Sequence, residues 1–163
     1  MIDSLSEEHI REHCPFCDRN HISQKYLLEE TDDFVVACDY NPLTEGHILI
    51  IPKHHVPSVG QYPVDLFAKF LLLYEKTKAF VQSNYGSVST FEHGGVGQSV
   101  FHSHVHILPF AGSPLAIVPE GETHLEILSD IQALQGKDAY LFFSIGDDAW
   151  TVDTALVSPR FFR

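Results

Sequence analysis

Three histidines alternate with other residues along one short segment, at His102, His104 and His106. Side chains alternate between the two faces of a β-strand, so an extended chain would place all three imidazoles on one face. Imidazole titrates near neutral pH and can act as a nucleophile, a general acid or base, or a metal ligand. The spacing therefore indicates a functional site on a strand, which we expect over residues 99–108. A solvated strand face explains it less well, because three such imidazoles cannot all be buried and neutral without partners.

Two kinds of site are compatible with this trio. A zinc ion held by all three histidines needs ligand distances of about 2.1 Å. Neighbouring histidines on a flat strand lie roughly 7 Å apart and the outer two roughly 13 Å, so that site requires a sharply bent strand. The alternative is a phosphate site, because Gly94, Gly95 and Gly97 let backbone amides gather around an anion, with the Ser99 hydroxyl beside them. There a neutral imidazole can attack phosphorus, form a phosphoramidate, and leave when water or another acceptor attacks.

A Cys-x-x-Cys pair, Cys14 and Cys17, offers a second kind of chemistry. A redox dithiol of the thioredoxin type lies between a strand and a following helix, whereas the polar residues 18–24 follow here. A zinc site instead needs two further ligands, and the sequence supplies candidates in His55 and His102.

Composition limits the class of protein. The 163 residues suffice for one domain, which can bury roughly 70% of its unfolded surface. The net charge of -12 argues against duplex nucleic acid as a partner, because that partner requires a basic face. A small phosphorylated ligand is still compatible, since imidazole protons and turn amides set the local field. Eleven histidines outnumber the ten lysines and arginines, and no terminal run of histidines accounts for them.

The location of the protein follows from what the sequence lacks. The apolar stretches 46–52 and 67–73 are too short to span a bilayer, and the N-terminal segment is acidic, unlike a signal peptide. Three cysteines, two of them closely spaced, fit a reducing compartment. We therefore expect a cytoplasmic protein that does not contact membranes.

These residues must be positioned by a mixture of strands and helices. The pattern predicts a single α+β domain over residues 1–163, with a mostly antiparallel sheet of five or more strands, one long helix and short flanking helices. Pro63 begins the long helix, which ends at Tyr85 and Gly86. Shorter helices are expected from a capping box at Ser4 to Cys14 and over residues 122–134. The predicted strands are 26–30, 34–39, 47–52, 88–92, 99–108, 140–144 and 150–156, with a glycine-rich turn over 93–98.

The other histidines and the third cysteine have simpler interpretations. We expect solvated surface positions for four histidines and solvated loop ends for His47 and His54. Cys38 is expected to be a buried small apolar residue. The four surface histidines are His9, His13, His21 and His124.

Two segments together resemble the signatures of the histidine triad (HIT) superfamily. GQSVFHSHVHILP, residues 97–109, is similar to the His-x-His-x-His motif that follows Gly-Gln-Ser/Thr in that superfamily. Residues 39–42 and 46–55 resemble its other signature segment. The resemblance covers about residues 14–110 and implies a HIT-like fold, with residues 111–163 as a C-terminal extension.

The resemblance implies a nucleotide hydrolase or nucleotidyltransferase that acts within a homodimer. Such an enzyme attacks the α-phosphate of a nucleoside phosphoramidate or a dinucleoside polyphosphate and forms a nucleotidyl-histidine intermediate. By this resemblance His104 is the nucleophile and His106 lies against the phosphate. Asp39 binds the ribose hydroxyls, and its apolar neighbours line the base pocket. Phosphate and leaving group are bound by Gly97, Gln98 and Ser99, of which Ser99 also counts as catalytic.

The zinc ligands also follow from the resemblance. The Cys-x-x-Cys pair resembles superfamily members of the galactose-1-phosphate uridylyltransferase type, whose cysteines and histidines hold zinc. This match makes His55, rather than His54, the third ligand, with His102 the fourth beside Cys14 and Cys17. The zinc is then structural, and it fixes the chain two residues from His104.

The sequence departs from the superfamily pattern at two positions. Ser103 replaces an apolar residue inside the triad, and His93 stands where an Asn assists the leaving group. Arg160 and Arg163, near the C-terminus, are candidate phosphate contacts. Two further functions are compatible with the residues: a dinucleoside polyphosphate phosphorylase, and a non-catalytic, zinc-stabilised adaptor that binds nucleotides.

Overall fold

The computed structural model describes residues 13–18, 25–113 and 125–152. Its elements are eight strands, one long helix (α1, Val64–Tyr85) and two short 3-10 helices (Val59–Gln61 and Ile131–Leu134). The strands are β1 Leu27–Glu30, β2 Phe34–Cys38, β3 Ile48–Pro52, β4 Ser89–Gly94, β5 Val105–Leu108, β6 Leu125–Leu128, β7 Tyr140–Ile145 and β8 Asp148–Val152.

Helix α1 begins and ends where its sequence predicts. Pro63 is the N-cap, and Gly86 adopts a left-handed conformation with φ of 80° at the C-cap, where its N–H bonds to the Gln82 carbonyl. One face of the helix is apolar at helical spacing and packs on the sheet. Its buried residues are Leu66, Phe67, Phe70, Leu73, Tyr74, Thr77 and Val81.

All eight strands form one antiparallel sheet in the order β1-β2-β3-β5-β4-β7-β8-β6. The predicted α+β class with an antiparallel sheet is therefore confirmed. Strand β5, which carries the end of the histidine trio, lies between β3 and β4. Strand β7 pairs with all six residues of β4, from Ser89↔Ile145 to Gly94↔Tyr140, so strands from the C-terminal part of the chain extend the same sheet. The boundaries of the predicted domain, 1–163, stay a prediction.

The core lies between α1 and one face of the sheet. Val105 and Ile107 are completely buried in this core, together with Phe70 of the helix. Because side chains alternate along β5, His106 lies on the opposite face, where its neighbour Phe91 belongs to a second, smaller apolar cluster. One face of β5 thus packs in the core against α1, and the other face carries His106.

Two predicted elements are wrong. The strand expected over 99–108 is only β5, because residues 99–104 form a loop in which Ser103 N–H donates to the Val56 carbonyl. The helix expected over 122–134 is, in its described part, strand β6 followed by a 3-10 helix. Leu125–Leu128 pairs with β8, and the Asp130 carboxylate then caps the 3-10 helix by accepting from Gln132 N–H.

Several predictions lie outside the described residues: the capping box at Ser4, the strand end at 153–156, the arginines Arg160 and Arg163, and the surface positions of His9, His21 and His124. In the parts of the chain that the structure describes, no helix has the length and apolar character needed to cross a membrane.

Candidate functional site

The histidine trio divides between two neighbouring sites. His102 turns towards the two cysteines, with its Nδ1 3.5 Å from Cys14 Sγ and 3.6 Å from Cys17 Sγ. His104 and His106 line a cavity instead. The expectation that all three imidazoles share one strand face is therefore wrong, because only His106 lies in a strand.

The four predicted metal ligands come together. The donor atoms of Cys14, Cys17, His55 and His102 all lie within 4.8 Å of one another, and Cys17 Sγ is 3.1 Å from His55 Nδ1. A tetrahedral zinc ion with Zn–S of about 2.3 Å and Zn–N of about 2.1 Å separates its sulfur and nitrogen ligands by about 3.6 Å. Neither Cys14 nor Cys17 is part of a disulfide. The donor set and its spacing fit zinc.

A hydrogen bond made by the other ring nitrogen of His102 fixes the orientation of the ring. His102 Nε2–H donates to the Pro52 carbonyl at 2.7 Å, which leaves the Nδ1 lone pair directed to the cysteines. The side chain is fully buried. Burial lowers the pKa of His102 to about 4, although the hydrogen bond to Pro52 acts in the opposite direction. A neutral imidazole is the form that binds a metal.

A backbone carbonyl holds one ring nitrogen of His104. Its Nδ1–H donates to the His102 carbonyl at 2.7 Å, so in the neutral ring the Nε2 atom carries the lone pair. The ring of Phe16, which lies between the two cysteines in the sequence, packs edge-on against it with centroids 5.2 Å apart. The backbone thus selects the Nδ1–H tautomer of His104.

A chain of hydrogen bonds sets the tautomer of His106. The Leu43 N–H donates to His47 Nδ1 at 3.0 Å, so the proton of neutral His47 is on Nε2. That Nε2–H donates to His106 Nδ1 at 2.8 Å. His106 therefore keeps its own proton on Nε2, as a hydrogen-bond donor.

Burial and stacking keep His106 neutral. Its ring is stacked on Phe91 with centroids 4.1 Å apart. Burial lowers the pKa of His106 to about 3, although the contact with Asp39 acts in the opposite direction. Burial on its own raises the pKa of the Asp39 carboxyl, but its contacts with His106 and Asn41 N–H and the nearby imidazoles outweigh it, so this pKa lies below its usual value.

The cavity beside these rings has a volume of about 480 Å³, a size typical of small-molecule sites. Its wall combines aromatic and apolar side chains with a few polar groups. The lining residues are Pro15, Phe16, Tyr26, Ala37, Cys38, Asp39, Tyr40, Asn41, Leu49, Ile51, Ser99, Val100, His104 and His106.

The predicted ligand-binding residues are only partly brought together. Asp39 and Ser99 line the cavity with His104 and His106. His93, Gly97 and Gln98 are not among the lining residues. Instead, His93 Nδ1–H donates to the Val96 carbonyl, and the Gln98 amide donates to the Pro57 carbonyl. Gly97 has a φ of 66°, which fits its predicted role in a turn.

Two residues differ from their predicted roles. His47 is 2% exposed and bonded to His106, so the prediction of a solvated loop end is wrong for it, whereas His54 is exposed as expected. Cys38 is exposed and lines the cavity, so it is not a buried apolar residue. The register of β2 and β3 explains His47, because Cys38 pairs with Ile48 and so brings Asp39 beside His47.

The fold and the site agree with what sequence and structure comparisons find. The HIT domain family matches residues 20–112. The protein hit of Bacillus subtilis is 30% identical over 125 residues, which cover 72% of this chain and 85% of that relative. The adenylylsulfatase HINT3 of Arabidopsis thaliana is 33% identical over 101 residues, which cover 59% of this chain and 51% of that protein.

The fold of this chain is also similar to that of a solved structure. A hypothetical histidine triad nucleotide-binding protein from Sulfolobus tokodaii superposes with a TM-score of 0.54 at 27% identity, covering 61% of this chain and 71% of that one. The antiparallel sheet, the long helix and the paired histidines at a cavity define one class of α+β protein. The chain belongs to the HIT family.

Proposed function

We propose that the protein is a nucleotide hydrolase or nucleotidyltransferase that acts at the α-phosphate of a nucleotide derivative through a nucleotidyl-His104 intermediate. The observation that carries the proposal is the His104 ring, which lies in the wall of a ligand-sized cavity with its Nδ1–H bonded to a backbone carbonyl. Two similar proteins, named as an adenylylsulfatase and a hypothetical histidine triad nucleotide-binding protein, support the same substrate class.

The reaction has two steps. His104 Nε2 attacks the α-phosphorus, a P–N bond forms, and the bond from phosphorus to the leaving group breaks as that group takes up a proton from solvent. Water then attacks the same phosphorus and gives up one proton to solvent, the P–N bond breaks, and the nucleoside monophosphate leaves with the imidazole restored. The Nε2–H of His106 and the Ser99 hydroxyl stabilise the phosphate oxygens, because both are donors at the cavity. Asp39 accepts hydrogen bonds from the ribose hydroxyls.

The deciding experiment compares His104→Ala with His54→Ala. His104→Ala is expected to abolish turnover of adenosine 5′-phosphoramidate, diadenosine polyphosphates and adenylyl sulfate while AMP still binds. His54→Ala is expected to keep full activity, because that side chain is exposed. Unchanged turnover in His104→Ala overturns the nucleophile assignment. Binding of AMP by the unaltered protein without turnover of any substrate indicates the adaptor instead, and new ADP or ATP when inorganic phosphate is added indicates the phosphorylase.

We also propose that Cys14, Cys17, His55 and His102 hold a structural zinc ion. Zinc at this position has four protein ligands and so supplies rigidity rather than a bound water. The chain's own residues carry this rigidity to the site, because His102 is both a ligand and the residue whose carbonyl accepts from His104 Nδ1–H. Atomic absorption on untagged protein is expected to find about one zinc per chain, and a value far below that overturns the proposal.

A homodimer in the cytoplasm completes the proposed function. The sulfurs of Cys14 and Cys17 lie among histidine donors, an arrangement that requires reduced cysteines and so supports a reducing compartment. Because β7 pairs along all of β4, two copies cannot join through the β4 edge. Within the described residues the outer strands of the sheet are β1 and β6, so the proposed interface uses one of these edges or a face of the molecule.

A further inference from the structure

A buried carboxylate lies behind the catalytic segment. Glu92, on β4, is 1% exposed and accepts hydrogen bonds from three directions. Val59 N–H donates to it at 3.0 Å, the Ser103 hydroxyl donates at 2.8 Å, and the Tyr140 hydroxyl donates in a short contact. Three donors around one carboxylate are the partners that a buried negative charge requires.

Ser103 connects this carboxylate to the site. It is fully buried, and it lies between His102 and His104 in the chain. Its hydroxyl donates to Glu92 and therefore accepts from the Tyr62 hydroxyl at 2.8 Å. Its N–H donates to the Val56 carbonyl at 2.7 Å. Both the backbone and the side chain of this residue are thus held in one position.

The sheet leaves space for the third donor. Tyr140 comes from β7, and its hydroxyl accepts from the Gly60 N–H at 3.0 Å while it donates to Glu92. A Cβ atom at Gly94 would overlap the Tyr140 ring, and one at Gly60 would lie 2.9 Å from it. Glycines at both positions therefore permit Tyr140 to reach the carboxylate.

We propose that Glu92 is a positioning residue for His104. Glu92 acts on His104 through Ser103, and Tyr140 of the β7–β8 hairpin holds the Glu92 carboxylate in place. The proposal rests on the function proposed above. Fixing Ser103 fixes the adjoining His102 carbonyl, and that carbonyl accepts the Nδ1–H of His104 at 2.7 Å. The buried network thereby sets the tautomer of His104 in which Nε2 carries the lone pair.

The energetic argument favours positioning over stability. A buried carboxylate is costly, and well-packed apolar residues usually stabilise a core equally well or better. Burial raises the pKa of Glu92 to about 7, although the hydrogen bonds from Tyr140, Ser103 and Val59 act in the opposite direction. Ser103 also stands where the related signature has an apolar residue, and in this chain its hydroxyl donates to the Glu92 carboxylate.

The test compares Ser103→Ala, Glu92→Gln and Tyr140→Phe with Tyr74→Phe. Tyr74 is a matched control, since it is 2% exposed like Tyr140 and its hydroxyl is bonded to Thr90, outside the Glu92 network. Long-range ¹H–¹⁵N spectra of the imidazoles report the His104 tautomer directly. Kinetics with adenosine 5′-phosphoramidate, zinc content and thermal unfolding are measured on the same samples.

The unaltered protein and Tyr74→Phe are expected to show only the Nδ1–H tautomer of His104. The three network variants are expected to show a mixture with the Nε2–H tautomer, a kcat lower by about tenfold or more, and a KM within about twofold of the original. Their zinc content is expected to match that of Tyr74→Phe. Ser103→Ala removes a single hydroxyl oxygen from the network and keeps the Glu92 carboxylate, so it decides the question if Glu92→Gln does not fold.

The proposal is overturned if Ser103→Ala keeps the single tautomer and full kcat, or if kcat falls only in step with zinc content. Failure of the proposed function is a separate result. If His104→Ala retains turnover, the nucleophile assignment fails, while the tautomer spectra still show whether Glu92 and Ser103 orient the ring.

Discussion

His47 and His106 show how one hydrogen bond determines the chemistry of a side chain. The Nε2–H of His47 occupies His106 Nδ1 at 2.8 Å, so the proton of His106 is on its other nitrogen. Asp39 Oδ2 lies 3.6 Å from the same Nδ1, beyond hydrogen-bond distance. Without His47, His106 is free to place its proton on Nδ1 towards Asp39 and to lose the donor that we assign to the phosphate.

His47→Ala is therefore expected to lower kcat by about 10- to 100-fold with a smaller change in KM, because a donor to the transition state is lost. Steady-state kinetics with adenosine 5′-phosphoramidate measure this change, with the exposed His54→Ala as control. Equal kinetics in the two variants would show that His47 has no part in the reaction.

At the residue scale the sequence predicts chemical types better than partners. The four metal ligands could be named from residue types and the resemblance, and their donor atoms do lie together. The position of His47 in the site could not be predicted from residue types. It depends on the pairing of Cys38 with Ile48, which brings Asp39 beside His47. Glu92 was missed for the same reason, since its donors come from three distant segments.

Among the elements, the Cys-x-x-Cys loop links the metal site to the cavity. Phe16 lies between the two cysteines, packs against His104 and lines the cavity with Pro15. The proposed metal would order this loop, since its cysteines have partners in His55 and His102 on other parts of the chain.

Cys17→Ser and His55→Ala are expected to lose zinc and to lower Tm by about 5–10 °C, because the metal contributes directly to folding. The KM is expected to rise as well, since the Phe16 wall of the cavity is released. Zinc content, thermal unfolding with and without a chelator, and kinetics check these effects. His54→Ala is the matched control, and a variant of Cys17 with normal zinc content would contradict the assignment.

The elements that the sequence predicts correctly are those with local signals. Helix α1 has apolar spacing, Pro63 and Gly86, and the β7–β8 hairpin has Gly146 in its turn. The strand expected over 99–108 fails in its first half, because long-range partners compete with the strand ladder. There His102 bonds to Cys14 and to the Pro52 carbonyl, and Ser103 to Val56 and Glu92.

For the whole molecule, two buried groups oppose each other as the pH falls. Glu92 has a pKa of about 7 against an ordinary value of 4.5, so the folded state binds its proton first and gains stability from pH 7 down to 4.5. His106 has a pKa of about 3 against 6.5, so the unfolded state binds that proton first and stability is lost from pH 6.5 down to 3. The two effects offset each other between pH 6.5 and 4.5.

Glu92→Gln removes only the first effect. Its free energy of unfolding is therefore expected to fall more steeply between pH 7 and 5 than that of the unaltered protein, by up to about 1.4 kcal/mol per pH unit. Urea unfolding at several pH values measures the slopes. Parallel slopes for the two proteins would contradict the raised pKa of Glu92.

The net charge of -12 makes a prediction about substrate capture. An anionic nucleotide approaches an acidic molecule against a long-range repulsion, which salt screens. We expect kcat/KM for adenosine 5′-phosphoramidate to rise about two- to threefold from low to physiological ionic strength. Rates measured across a sodium chloride series test this, and a fall with salt would show that a local positive field dominates instead.

The pairing of β7 along β4 has a consequence for synthesis on the ribosome. Strand β4 and the histidine segment are synthesised before β7, so the β4 edge that β7 later covers has unpaired N–H and C=O groups until β7 emerges. Tyr140 is also missing then, and with it the third donor to Glu92. A nascent chain therefore gains a protected β4 edge and the third donor to Glu92 in the same event, the docking of the β7–β8 hairpin.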